Sequence, residues 1–95
     1  MREFVAGMLK KYRAKITPNW PIRGDTIHFT DRYNGRLYCG KVVEVVRTGF
    51  KDDDVFWRVE LANGDVISCD FKELTQVDRS PENQVYVDAY NRGDI

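Results

Sequence analysis

The stretch DVFWRVELANGDVISCDF, residues 54–71, holds two alternating runs around a turn, and its register decides what kind of sheet the chain builds. Val55, Trp57, Val59 and Leu61 share one face of the first run, opposite Phe56, Arg58 and Glu60. In the second run Ile67, Cys69 and Phe71 lie opposite Val66, Ser68 and Asp70. Asn63-Gly64 invites a two-residue hairpin loop. That register sets Trp57 against Asp70 and parts its face from Ile67, Cys69 and Phe71. A three-residue loop, Ala62-Asn63-Gly64 with Gly64 left-handed and a bulge after it, pairs Val59 with Ile67 and Trp57 with Cys69. It restores one apolar face and is the preferred geometry. Trp57 and Phe71 are therefore expected in the core. Phe56 falls on the other face, as the ring best placed for contact.

Working outward, DTIHFTD alternates Ile27 and Phe29 with Thr26, His28 and Thr30, a half-buried first strand. DRYNGR follows as a loop whose Asn34-Gly35 tolerates positive φ. LYCGKVVEVV is a long apolar run with adjoining pairs Val42-Val43 and Val45-Val46, which a strand buried on one face accommodates only with a bend or bulge. Gly40 is the predicted place for it. RTGFKDDD reads as a polar loop, and KELTQV as a tight turn into a closing strand around residues 75–77. At the N-terminus, Val5, Met8, Leu9, Tyr12 and Ile16 recur at helical spacing, which predicts an amphipathic helix over 2–16 that ends before Pro18 and Pro21. At the other end Ser80 and Pro81 suit a helix start, with Val85, Tyr86, Ala89 and Tyr90 at i, i+4; a loose tail with a strand at 85–87 is the competing reading.

A chain of 95 residues supports a single core, and its composition, 42% hydrophobic and 32% charged, is that of a folded domain. No apolar run is long enough to span a membrane and no secretory leader pattern is present, so a cytoplasmic location is the expectation. Cys39 and Cys69 lack the spacing of zinc or redox motifs and are expected as reduced, buried thiols. The formal net charge of zero conceals a gradient: residues 1–24 carry +5, residues 25–49 carry +1 and residues 50–95 carry −6. Nucleic-acid binding would therefore have to use the basic N-terminal segment. Asp52-Asp53-Asp54 lacks the alternating ligands of a calcium loop, and the lone His28 has no placed nucleophile, so neither metal, cofactor nor catalytic residue is expected.

Residues 23–74 resemble the SH3-like small barrels of the Tudor and KOW kind. Gly24-Asp25, Gly40-Lys41-Val42, Asn63-Gly64-Asp65 and Glu73-Leu74 match their motifs in order and spacing. The resemblance implies a five-stranded SH3-like barrel over 22–78; with the helical spacing over 2–16 and the segment over 79–95 the expectation is a mainly β chain, the amphipathic helix packed on the barrel and a short C-terminal extension, helix or tail. Tudor-type readers hold a cationic side chain in an aromatic cage, and the positions this implies here are Tyr33, Tyr38, Phe56 and Asp70. The expected function is that of a non-enzymatic binding module, a small regulator or adaptor recognising a protein partner through those residues. The KOW-type alternative is RNA or DNA binding through Lys10, Lys11, Arg13, Lys15, Arg32 and Arg36, with an aromatic ring stacking on a base. Exposed edge strands leave pairing into a homodimer open.

Overall fold

Alternation places Ile27 and Phe29 in the core and leaves Thr26, His28 and Thr30 half covered, which makes β1 (Thr26–Thr30). The computed structural model describes residues 15–95. After β1 come β2 (Leu37–Arg47), β3 (Val55–Glu60), β4 (Val66–Asp70), a 3-10 turn (Phe71–Glu73), β5 (Leu74–Asp78) and one helix, α1 (Pro81–Arg92). The strands form a single antiparallel sheet in the order β4-β3-β2-β1-β5. Among the described residues no helix is long and apolar enough to cross a membrane.

The β3–β4 hairpin has the predicted register: Val59 faces Ile67 and Trp57 faces Cys69. The Gly64 N–H bonds the Leu61 carbonyl at 2.9 Å, the Leu61 N–H bonds the Asp65 carbonyl at 2.8 Å, and Gly64 has φ 89°. That is a turn closed by a left-handed glycine, as a three-residue loop requires. Trp57 is fully buried with Ile27, Phe29, Val42, Val55, Val59 and Cys69, and its indole N–H donates to the Pro21 carbonyl at 3.1 Å. A buried indole needs such a partner.

Four expectations are corrected. The sheet is open, not a closed SH3-like barrel: β4 and β5 are its two edges and no ladder joins them. The physical reason lies in the turn between them, where the N–H groups of Asp70 and Phe71 are taken by the carboxylates of Glu73 (2.8 Å) and Asp70 (2.7 Å) and not by a facing strand. Rings cover the gap instead. Trp20 meets Trp57 edge-on at 5.3 Å between centroids and lies 6.3 Å from Phe71. Second, Phe71 stacks on Trp57 at 6.4 Å yet stays 37% exposed, because β4 ends at Asp70 and the 3-10 turn rotates the next residue out of the strand alternation. Third, the bulge in β2 sits between Val42 and Glu44, not at Gly40. Gly40 serves a different need: a Cβ there would lie 2.6 Å from both the Glu60 carbonyl oxygen and Val59 Cγ1, so only glycine lets β3 approach. With β2 regular up to Val42, Cys39 turns outward and is exposed, contrary to the expected burial, while Cys69 is buried.

The predicted N-terminal helix over 2–16 falls almost wholly outside the described residues; Lys15 and Ile16, its last two positions, are not helical. The C-terminal segment is helical. Ser80 Oγ accepts from the Asn83 N–H at 3.2 Å, Pro81 opens the first turn, and Gly93 at φ 83° ends the helix. Side chains from this end lash residues 16–25 to α1 and to the residues just before it. Asn91 both donates to the Ile16 carbonyl and accepts from its N–H (2.9 and 2.8 Å), and Asn83 donates to the Arg23 carbonyl and to Asp25. Arg79, whose side chain is 7% exposed, pairs with the fully buried Asp25 side chain at 3.1 Å and donates to the carbonyls of Thr17 and Trp20.

Candidate functional site

Local polar bonds shape the loop between β1 and β2. Asp31 Oδ1 accepts from the N–H groups of Tyr33 (2.7 Å) and Asn34 (3.2 Å), and Gly35, with φ 69°, lets the chain return so that Asp31 N–H reaches the Arg36 carbonyl at 2.9 Å. Glu73 fastens this loop to the β4–β5 turn: its two carboxylate oxygens accept from the N–H groups of Asp70 and Arg32, each at 2.8 Å. The hairpin register brings Phe56 directly opposite Asp70 on the outer face of the sheet. The third wall is the loop after β2, closed by Thr48 N–H to the Asp54 carbonyl at 2.8 Å and by Arg47 Nη1 to the Lys51 carbonyl at 2.8 Å.

These three pieces enclose a cleft of about 560 Å³ that contains Tyr33, Phe56 and Asp70, three of the four predicted partner-binding residues. Its lining has five acids, Asp31, Asp53, Asp54, Asp70 and Glu73, against two cations, Arg32 and Lys72, so it is electronegative in a chain of zero net charge. Tyr33 is 85% exposed. Arg32 lies over its ring, 5.2 Å from the centroid, donates to its hydroxyl at 3.3 Å and pairs with Asp70 at 3.1 Å. The hydrogen bond that Arg32 donates to the Tyr33 hydroxyl, then the field of Tyr33, raises the Arg32 guanidinium above its ordinary value; desolvation opposes them, and Asp70 and Glu73 add smaller upward contributions.

Tyr38 is not part of this cleft. It stacks on Phe29 at 5.6 Å, accepts a 3.4 Å hydrogen bond from Asn34 Nδ2, and lines a smaller hollow beside His28 and Cys39. The predicted nucleic-acid residues are dispersed. Lys10, Lys11 and Arg13 lie outside the described residues; Lys15 lines a separate groove with Trp20, Phe71 and Leu74; Arg32 is held in the acidic cleft; Arg36 is exposed at the far end of the β1–β2 loop. Sequence reasoning missed Glu73 as the tie between the two turns, since nothing local pairs it with a loop forty residues earlier. It also missed Phe50, fully exposed in the loop that supplies Asp53 and Asp54, although an aromatic ring within the polar run RTGFKDDD was a visible signal.

His28 Nε2 lies 2.7 Å from Asp78 Oδ2 and 3.9 Å from Cys39 Sγ. A relay that activates a nucleophile needs the carboxylate on one ring nitrogen and the nucleophile on the other, whereas here both contacts fall on the same nitrogen. Hydrogen bonds from Gln76 and then His28 hold the Asp78 carboxyl below its ordinary value. Among the described residues no three His, Cys, Asp or Glu side chains are grouped as a metal site. Compared with protein-family models, curated proteins and solved structures, the chain matches none of them.

Proposed function

We propose that this chain is a non-enzymatic binding module that recognises a protein partner through the cleft carrying Tyr33, Phe56 and Asp70. The observation that carries this reading is the convergence of that cleft: three separate turns, two of them tied together by Glu73, present an exposed aromatic ring and an acidic wall on the outer face of the sheet. Exposed rings beside hydrogen-bonding groups are the usual anchors of protein recognition. Tyr33 at 85% and Phe50 at 104% exposure supply such rings on bonded loops. An electronegative cleft disfavours phosphate, which argues against a nucleic-acid reading of the same face.

The test is an amide-resolved NMR titration of the labelled chain with short peptides of basic, acidic and apolar composition, and in parallel with single-stranded and duplex DNA and RNA, at low and near-physiological salt. Peptide-dependent shifts centred on Tyr33, Phe56 and Asp70, lost in Phe56→Ala, are the expected result. Silence toward every peptide, with shifts on Lys15, Arg32 and Arg36 that nucleic acid induces and salt steeply weakens, would replace this reading by nucleic-acid binding.

A further inference from the structure

The cleft is occupied by a group of the chain's own: the Arg32 guanidinium sits between the Tyr33 ring and the Asp70 carboxylate. Both contacts are of the type that would receive a cation from outside, a π face and an anionic oxygen. Arg32 is half exposed, with 54% of its side chain accessible, and no described contact beyond the cleft holds the guanidinium. Its position depends on the backbone instead, since the Arg32 N–H is fastened to Glu73 whichever way the side chain points. The side chain is thus free to leave without dismantling the loop.

We propose that Arg32 is a built-in competitor, and that the partner segment taken by this cleft is a basic peptide whose guanidinium or ammonium group displaces Arg32 from Tyr33 and Asp70. The inference rests on the protein-binding reading above and specifies its ligand. Charge complementarity selects the occupant: with Arg32 withdrawn, five carboxylates and two rings face a single remaining cation, Lys72. An exposed ion pair combined with an exposed cation–π contact biases a side chain by roughly a factor of ten. A ligand that binds only the vacated cleft is weakened by the same factor.

The experiment measures binding of a Gly-Ser peptide carrying two arginines, and of the same peptide with glutamates in their place, to the full chain and its Arg32→Ala and Lys72→Ala variants, by NMR shifts at near-physiological salt. Near-ultraviolet circular dichroism from the Trp20–Trp57 pair reports that each variant is folded. Arg32→Ala is expected to tighten the arginine peptide about tenfold, Lys72→Ala about twofold or less, and the glutamate peptide is expected to leave the cleft unshifted. Lys72→Ala is the control for mere removal of a positive charge, so equal gains from the two variants would overturn the competitor role. Shifts at Tyr33, Phe56 and Asp70 with the same affinity in wild type and Arg32→Ala would also overturn it, while leaving the cleft as a protein-binding site. No shift at those residues in any variant would remove the cleft itself.

Discussion

Replacing Arg79 by alanine withdraws the only cation paired with Asp25 among the described residues, a carboxylate that is 0% exposed, and also removes donors to the Thr17 and Trp20 carbonyls. Breaking a buried ion pair by deleting one partner costs about 3–5 kcal/mol, because the surviving charge stays buried. Asp25 keeps bonds from the Ile22 N–H (2.9 Å) and Asn83 Nδ2 (2.7 Å), which places the expected loss near the lower end, about 3 kcal/mol. A domain of this size has roughly 5–14 kcal/mol in total, so the variant should remain folded but be visibly weakened. Urea unfolding followed by tryptophan emission reads this directly, since Trp57 and Trp20 form one edge-on pair in the core. With a slope of about 1–1.5 kcal/mol per molar, the midpoint should fall by roughly 2–3 M at unchanged slope. The double variant Asp25→Ala/Arg79→Ala should be less destabilised than the two single losses added together, by at least about 1 kcal/mol, because no lone charge is left inside. A loss from Arg79→Ala below about 1 kcal/mol would mean that the pair behaves like a solvent-screened surface contact, and the reasoning would fail.

Gly40→Ala should destabilise by about 1–3 kcal/mol, because its methyl group would meet the β3 backbone at 2.6 Å; an unchanged melting temperature would refute that close approach. Trp57→Ala should cost about 3–5 kcal/mol as a core truncation, measured by denaturant unfolding, and a variant as stable as the parent would remove Trp57 from the core. In the native protein at about pH 8, iodoacetamide should modify the exposed Cys39 and spare the buried Cys69, read by mass spectrometry; equal rates would contradict their placement. Burial above all, with Glu73 and Asp70 nearby, pushes the Cys69 thiol up from 9.0 to about 12. The unfolded chain therefore releases this proton first: the contribution to stability is complete below pH 9 and is lost as pH rises from about 9 toward 12. Cys69→Ala should flatten that alkaline decline, and an identical decline in the variant would refute the assignment.

Turn chemistry and alternation are local, and wherever they governed alone they were legible. The β3–β4 register followed from requiring Trp57 and Ile67 to share a face, while Ser80 with Pro81 suited a helix start but left a loose tail open until the structure showed α1. Period-two reasoning failed where a strand stopped or bulged. Phe71 lies one residue beyond β4 and follows the turn, not the strand, while adjoining valines announced a bulge in β2 without saying which residue carries it. Three of the four predicted partner residues share the cleft because Phe56 and Asp70 are a cross-strand pair that the hairpin register already implied, with Tyr33 brought to them by Glu73. Tyr38 was misplaced because its ring turns toward Phe29 on the other face.

By itself, then, the sequence determined the antiparallel strands, their central hairpin register, the burial of Trp57 and the outward placing of Phe56. Those follow from residues within a few positions of one another. Only the tertiary structure decided that the sheet stays open under Trp20, that Arg79 clasps Asp25 across 54 positions, and that Arg32 fills an acidic cleft assembled from three distant turns. Such contacts depend on which edges and loops meet once the sheet has curled, and a one-residue change in where a strand ends redirects every side chain that follows.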